Sequence, residues 1–218
     1  KILADVRQKY VTLAESELTR LAKDKPGDAR IHVFIGTFYR AIGELEKAGN
    51  HMAIARELSP LKQSIISQQA IIAYSKGDLA GSKAFFKEAF TLDERNYEAR
   101  ELYAALLFLT GESEEAKALA SDETAINRFA VNDFVINAVN QAKEFSFMIE
   151  LYKARIAQQP DNEQNWASLA FLYSQMGDKE AAVETLRKAG EKKPSFAKAA
   201  NCIADNIAAG RAPEEGCQ

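Results

Sequence analysis

The chain has 218 residues, 47% hydrophobic and 27% charged, enough apolar and mixed-charge sequence to bury a sizeable core and to exclude a disordered chain. Its net charge of −3 and pI near 5.6 exclude attraction of nucleic acid or an anionic membrane through bulk charge, because no surplus of Lys and Arg exists to neutralise phosphates. No apolar run of about 18 residues occurs, so this segment is not expected to insert into a membrane.

Residues 1–28 predict an N-terminal helix or half repeat, with Ala14, Leu18 and Leu21 on one face and Pro26 as the stop. From there a ruler of 34 residues sets the pattern. Gly36, Ala70 and Ala104 share one mark, Gly43, Gly77 and Gly111 a second, and Ala48, Ser82 and Ala116 a third. After a two-residue shortening the marks return at Ala170, Gly177 and Ala182. A fixed period in this range means stacked supersecondary units, and the 3-4 spacing of apolar residues makes them helix pairs. The units are read as 29–62, 63–96, 97–128, 129–162 and 163–196. In 97–128 the run Ser121-Asp122-Glu123-Thr124 interrupts the second helix, which is expected to be short. In 129–162 Lys143 replaces the turn glycine and Met148 the small residue. That unit is expected to pack more widely and to be the weak link. A capping helix over 197–209 and a disordered tail over 210–218 complete the chain.

In the cleanest unit, Trp166, Leu169, Ala170 and Tyr173 form one helical stripe, Gly177 stops it, Ala182, Leu186 and Ala189 form the next, and Pro194 closes the unit. These residues resemble the tetratricopeptide repeat at each signature position. The unit from Ala29 resembles it through Ile35, Gly36, Tyr39, Gly43, Ala48, Met52, Ala55 and Pro60. The unit from Gln63 does so through Ala70, Ala73, Gly77, Ser82, Phe86 and Ala89, and the unit from Tyr97 through Ala104, Leu107, Gly111 and Ala116. The resemblance covers roughly residues 1–209. It implies an all-α fold, a right-handed α-solenoid of antiparallel helix pairs, and a protein–protein interaction scaffold without catalysis or cofactor.

In that family, first helices line the concave face. The residues beside the packing stripe are then Val33, Thr37 and Arg40; Ser67, Ile71 and Tyr74; Glu101, Ala105 and Phe108; Asp133, Asn137 and Asn140; and Ala167, Phe171 and Ser174. Three aromatics in a mostly neutral groove suit a partner peptide or helix with apolar anchors, and the Asn137 and Asn140 amides suit an extended backbone. The alternative role of Tyr74, Phe108 and Phe171 is packing between adjacent first helices. Some family members grip a chaperone's C-terminal carboxylate with cationic residues; the matching positions here, Val33, Thr37, Gln68, Glu98 and Leu102, hold no cation.

Motifs of chemistry are missing: no HExxH, paired CxxC, P-loop or GxGxxG occurs. His32 and His51 are the two histidines. His32 stands in the position of Trp166, which favours a packing role over a metal site. Cys202 reads as a small core-facing helical residue and Cys217 as part of a frayed end, two free thiols rather than a bridge. The chain begins at Lys1 rather than Met and reads as a fragment or processed form, with any targeting segment upstream, so localisation and oligomeric state stay open. A weaker resemblance, centred on Leu79–Arg100, is to the C-terminal repeat tails of bacterial O-antigen ligase or polymerase-like membrane proteins. It implies a soluble tail of a glycosyltransfer protein as the alternative function.

Overall fold

The computed structural model describes residues 2–217. Thirteen α-helices and no strand occur among the described residues, in two compact units that divide between Arg100 and Glu101. The all-α stack of helix pairs expected from the 34-residue period is the fold observed within each unit.

The first unit holds α1 (Ile2–Asp24) and two helix pairs, α2 (Ala29–Ala41) with α3 (Leu45–Leu58) and α4 (Gln63–Ser75) with α5 (Leu79–Leu92). Leu18 of α1, Ile35 and Tyr39 of α2, Ala48 and Met52 of α3 and Ile72 of α4 share one buried cluster. Each large apolar side chain so buried contributes about 1.5–3 kcal/mol. Gly36 lets α2 and α3 approach closely: a Cβ would stand 2.9 Å from the flexible end of Met52, at Cε, and 3.1 Å from the Ala48 carbonyl oxygen. Where α4 ends, Gly77 adopts φ +81°, which glycine tolerates without steric cost, and Asp78 then accepts from the Gly81 N–H at 2.8 Å to start α5. Ile66, Ala89 and Ala99 make a second cluster, the last from α6 (Tyr97–Leu109), the helix in which the two units divide.

The second unit continues with α7 (Ser113–Ala118), α8 (Glu123–Val131), α9 (Asp133–Gln141), α10 (Phe145–Gln158), α11 (Glu163–Gln175), α12 (Lys179–Lys192) and α13 (Ala197–Ala208). Where 97–128 should carry one second helix, the chain makes two. Asp122 explains the restart, since its carboxylate accepts from the Ala125 N–H at 2.8 Å and caps α8. Asn132 ends α8 and starts α9 in one residue, its side chain accepting from Phe134 N–H at 3.0 Å. At the other end, Ala170, Ala182, Leu186, Ala200, Ala204 and Ile207 bury the small-residue faces of α11, α12 and α13 against one another.

Two expectations fail at the C-terminus. Cys202 and Cys217 form a disulfide with an S–S distance of 2.01 Å and leave no free cysteine. The tail beyond α13 is not disordered over residues 210–217; it turns back onto the helix. Both failures have one cause. Gly210 takes φ +71° and reverses the chain, bringing two cysteines 15 residues apart to a Cα separation of 5.6 Å, within bonding range.

Candidate functional site

In the first unit the sequence-assigned residues lie on α2 and α4. Val33, Thr37, Arg40, Ser67 and Ile71 are half-buried, and Tyr74 is 41% exposed. Thr37 spends its hydroxyl on its own helix, donating to the Val33 carbonyl at 2.8 Å. Arg40 is different. Its Nε is buried with no acceptor, and the guanidinium makes no ion pair among the described residues. Gln68 Oε1 is likewise buried without a donor. Phe34, which sequence reasoning passed over, is 62% exposed one residue from Val33. Its signal was present: Phe34 stands 34 residues before Gln68, a position already considered for the carboxylate grip.

In the second unit the row breaks. Glu101, Ala105 and Phe108, expected to face the groove, are buried. Glu101 is 6% exposed and accepts from Arg128 Nε and, at 2.6 Å, from Asn132 Nδ2. Phe108 is 2% exposed and stacks on Phe147 with ring centroids 5.6 Å apart. The cause is the extra helix: α8 carries Arg128 to Glu101, Asn132 at its C-terminal cap joins it there, and α10 supplies Phe147. These three residues are structural, and Phe108 belongs to the packing role. Asp133, Asn137 and Asn140 are exposed on α9, with Asp133 paired to Arg155 at 3.0 Å. On α11, Phe171 is 58% exposed between half-buried Ala167 and Ser174.

The two histidines meet. His32 Nδ1 lies 3.1 Å from His51 Nδ1, and His32 Nε2 lies 3.3 Å from the Pro26 carbonyl oxygen. Trp166, in the same repeat position, donates Nε1–H to the Pro160 carbonyl at 2.8 Å. The parallel assigns the His32 proton to Nε2, leaving Nδ1 to accept from the His51 Nδ1–H. Burial, and then the His32 ring beside it, push the His51 pKa down. The pair is a hydrogen-bonded core element stacked on Tyr39, and no cluster of three or more His, Cys, Asp or Glu arranged for a metal occurs among the described residues. No described helix is long and apolar enough to cross a membrane.

Against known proteins, the tetratricopeptide repeat family model matches residues 163–191. No curated protein matches. Among solved structures, the chain superposes on MamA with a TM-score of 0.57 at 21% identity, covering 78% of this chain and 94% of that one. YrrB, described as a tetratricopeptide-repeat protein with an unusual peptide-binding site, superposes with a TM-score of 0.54 at 17% identity, covering 83% and 94%. A tetratricopeptide repeat protein from Parabacteroides merdae ATCC 43184 gives 0.57 at 15% identity, covering 94% and 82%. At these identities the likeness establishes the fold: a stack of tetratricopeptide-type helix pairs. The second resemblance, to tails of O-antigen ligase or polymerase-like proteins, gains no support from these matches.

Proposed function

We propose that this chain, built on the tetratricopeptide-repeat fold, is a non-catalytic scaffold that holds a segment of a partner protein against its first helices. The surface on α2 and α4 is the principal one, formed by Val33, Phe34, Thr37, Arg40, Ser67, Gln68, Ile71 and Tyr74. The observation that carries this reading is the exposure of two aromatics on neighbouring first helices, Phe34 at 62% and Tyr74 at 41%. An extended peptide or helix with apolar anchors rests those side chains on Phe34, Ile71 and Tyr74. The peptide-binding site named for YrrB supports the reading by fold analogy alone. In the second unit, Asp133, Asn137, Asn140, Ala167, Phe171 and Ser174 make a lesser surface, without Glu101, Ala105 and Phe108.

A photo-crosslinking side chain placed at Tyr74 tests this in the organism's own cells. The expected result is a discrete adduct that is lost on Arg40→Ala or Phe34→Ala in a chain with unchanged helical circular dichroism. The same probe at Ile54, exposed on α3, is expected to give no such adduct. Equal adducts at both positions, or an adduct at Tyr74 indifferent to both substitutions, would refute the groove.

A further inference from the structure

The last helix ends in a way that the helix pairs before it do not. After α4 and α11 the chain passes a glycine turn and launches a second helix, α5 and α12. After α13 it passes Gly210 and folds back along the same helix instead. The fold-back is anchored at one buried polar side chain. Asn206 is 3% exposed, and its Nδ2 donates to the Pro213 carbonyl at 3.1 Å and the Glu215 carbonyl at 2.7 Å. One turn earlier on α13, Cys202 bonds Cys217. Tight turns shape the segment between, with the Glu215 N–H donating to Ala212 and the Cys217 N–H to Glu214.

Two kinds of bond therefore close the cap, and they differ in what breaks them. The amide bonds of Asn206 act only while the tail is already in place. The disulfide holds residue 217 within reach of α13 whether or not those bonds are made. Arg211, exposed at the start of the turn-back, sits in the segment that the bond constrains.

We propose that residues 210–217 are a redox-latched cap on the end of the helix stack, closed in an oxidising compartment and opened by a dithiol reductant. Closure is thiol–disulfide exchange with a disulfide-bearing oxidant. One cysteine thiolate attacks the oxidant's disulfide, the second displaces it from the mixed disulfide, the Cys202–Cys217 bond forms, and the oxidant leaves as a dithiol. Opening reverses this: a dithiol attacks one sulfur, the other leaves as a thiolate and takes a proton, and the reductant departs as a disulfide. The open form retains α13 with Cys202 and Asn206 uncovered, the edge that the tail occupies in the closed form. A disulfide as a lasting feature belongs to an oxidising compartment, so the latch also assigns the chain to one.

Limited trypsin digestion at Arg211 reads the latch directly. In the oxidised chain, cleavage after Arg211 is expected to be slow, and residues 212–218 stay attached to the body through the bond, adding one water in mass. After dithiothreitol, or in Cys217→Ser, cleavage is expected at least tenfold faster with the peptide released, while helical circular dichroism is retained. Asn206→Ala with the disulfide intact should cleave at an intermediate rate and still keep its peptide. If Cys217→Ser and the reduced chain cleave no faster than the oxidised one, the Asn206 bonds alone hold the tail and the latch is wrong. Alkylation before lysis supplies the cellular arm. Two alkylated cysteines in chain taken from its native cells would overturn the proposal, and an unalkylated, disulfide-bonded chain supports it.

Discussion

At 163–196 the turn between helices is Gly177 and the residue behind it is Ala182; at 129–162 the same two positions hold Lys143 and Met148. Gly177 sits at φ +82° and Lys143 at φ 58°, so the turn keeps its left-handed residue although the side chain has changed. Ala182 and Met148 are both fully sealed. The first helix differs more: α11 has 13 residues and α9 has 9. Around α10 the large side chains Phe147, Met148, Ile149 and Leu151 are all buried, and Phe147 lies on Phe108 of α6. What the repeat conserves at this position is therefore filled volume. A small residue fills it where two full-length helices meet, and a methionine fills it where a short helix leaves space and α8 packs on α10 as well.

The largest effect should come from restoring the signature. Met148→Ala puts the regular repeat's small residue into the irregular unit, and removal of a buried Met side chain is expected to cost about 2–5 kcal/mol through the cavity it leaves. Urea denaturation followed by circular dichroism measures it. An unchanged or raised midpoint would mean that the position is slack and that Met148 is merely tolerated. The reciprocal change, Ala182→Met, drives a long side chain into a closed contact and is expected to cost about 1–3 kcal/mol. If both substitutions were neutral, the filled-volume account of the comparison would collapse.

Native-state hydrogen exchange sharpens the same contrast. The degenerate pattern of 129–162 suggests a uniformly soft unit, whereas the packing divides it. Amides of α9, a nine-residue helix ending at a strained turn, should exchange faster than those of α11, and amides of α10 should be protected like those of α12. Fast exchange throughout α10 would show that its buried side chains do not compensate for the lost glycine and small residue.

The turn itself predicts a smaller change. A non-glycine residue in the left-handed region costs roughly 1–2 kcal/mol, part of which glycine returns through its looser unfolded chain. Lys143→Gly should stabilise by about 1 kcal/mol, and Gly177→Lys should destabilise by a similar amount. Lys143→Gly that lowers stability would mean that the Lys143 side chain contributes something the turn geometry does not show.

The same contrast explains what could be read in the sequence. The ruler of glycines and small residues located the turns and close contacts, because φ and helix separation are local demands that a single residue type meets. His32 was legible too: its place in the Trp166 position pointed to packing, and its ring donates to Pro26 as Trp166 does to Pro160. Glu101 and Phe108 were misplaced because their burial depends on α8 and α10, partners set by the break at 121–124 and by a short α9, neither of which changes residues 101–108 themselves. The Cys202–Cys217 bond was missed because it needs a reversal at Gly210, and a tail of eight residues carries no periodicity to announce one. Phe34 was missed because the groove was traced through one residue per turn, although a helix face is wider than that.

The smallest expected effect lies at the start of the two second helices. Asp178 caps α12 by accepting from the Ala181 N–H at 3.0 Å, whereas Glu144 gives α10 no such cap and instead pairs with Lys117 at 2.7 Å. Lys117, and after it Ser113, hold the Glu144 carboxyl below its ordinary value of 4.5, and Glu114 and then Glu144 raise Lys117 above 10.5. A depressed carboxylate stabilises the fold at pH above its unfolded value and loses that contribution as pH falls through its folded one. A raised lysine stabilises below its unfolded value and loses its contribution as pH climbs through its folded one. Glu144→Gln should therefore cost up to about 1 kcal/mol at pH 7, since both partners are partly solvated, and progressively less as pH falls below 4.5 and through the lower folded value of the glutamate. Denaturation midpoints of the two proteins against pH should converge on the acid side; a gap that does not narrow as the pH falls would assign the effect to packing at the start of α10 rather than to the ion pair.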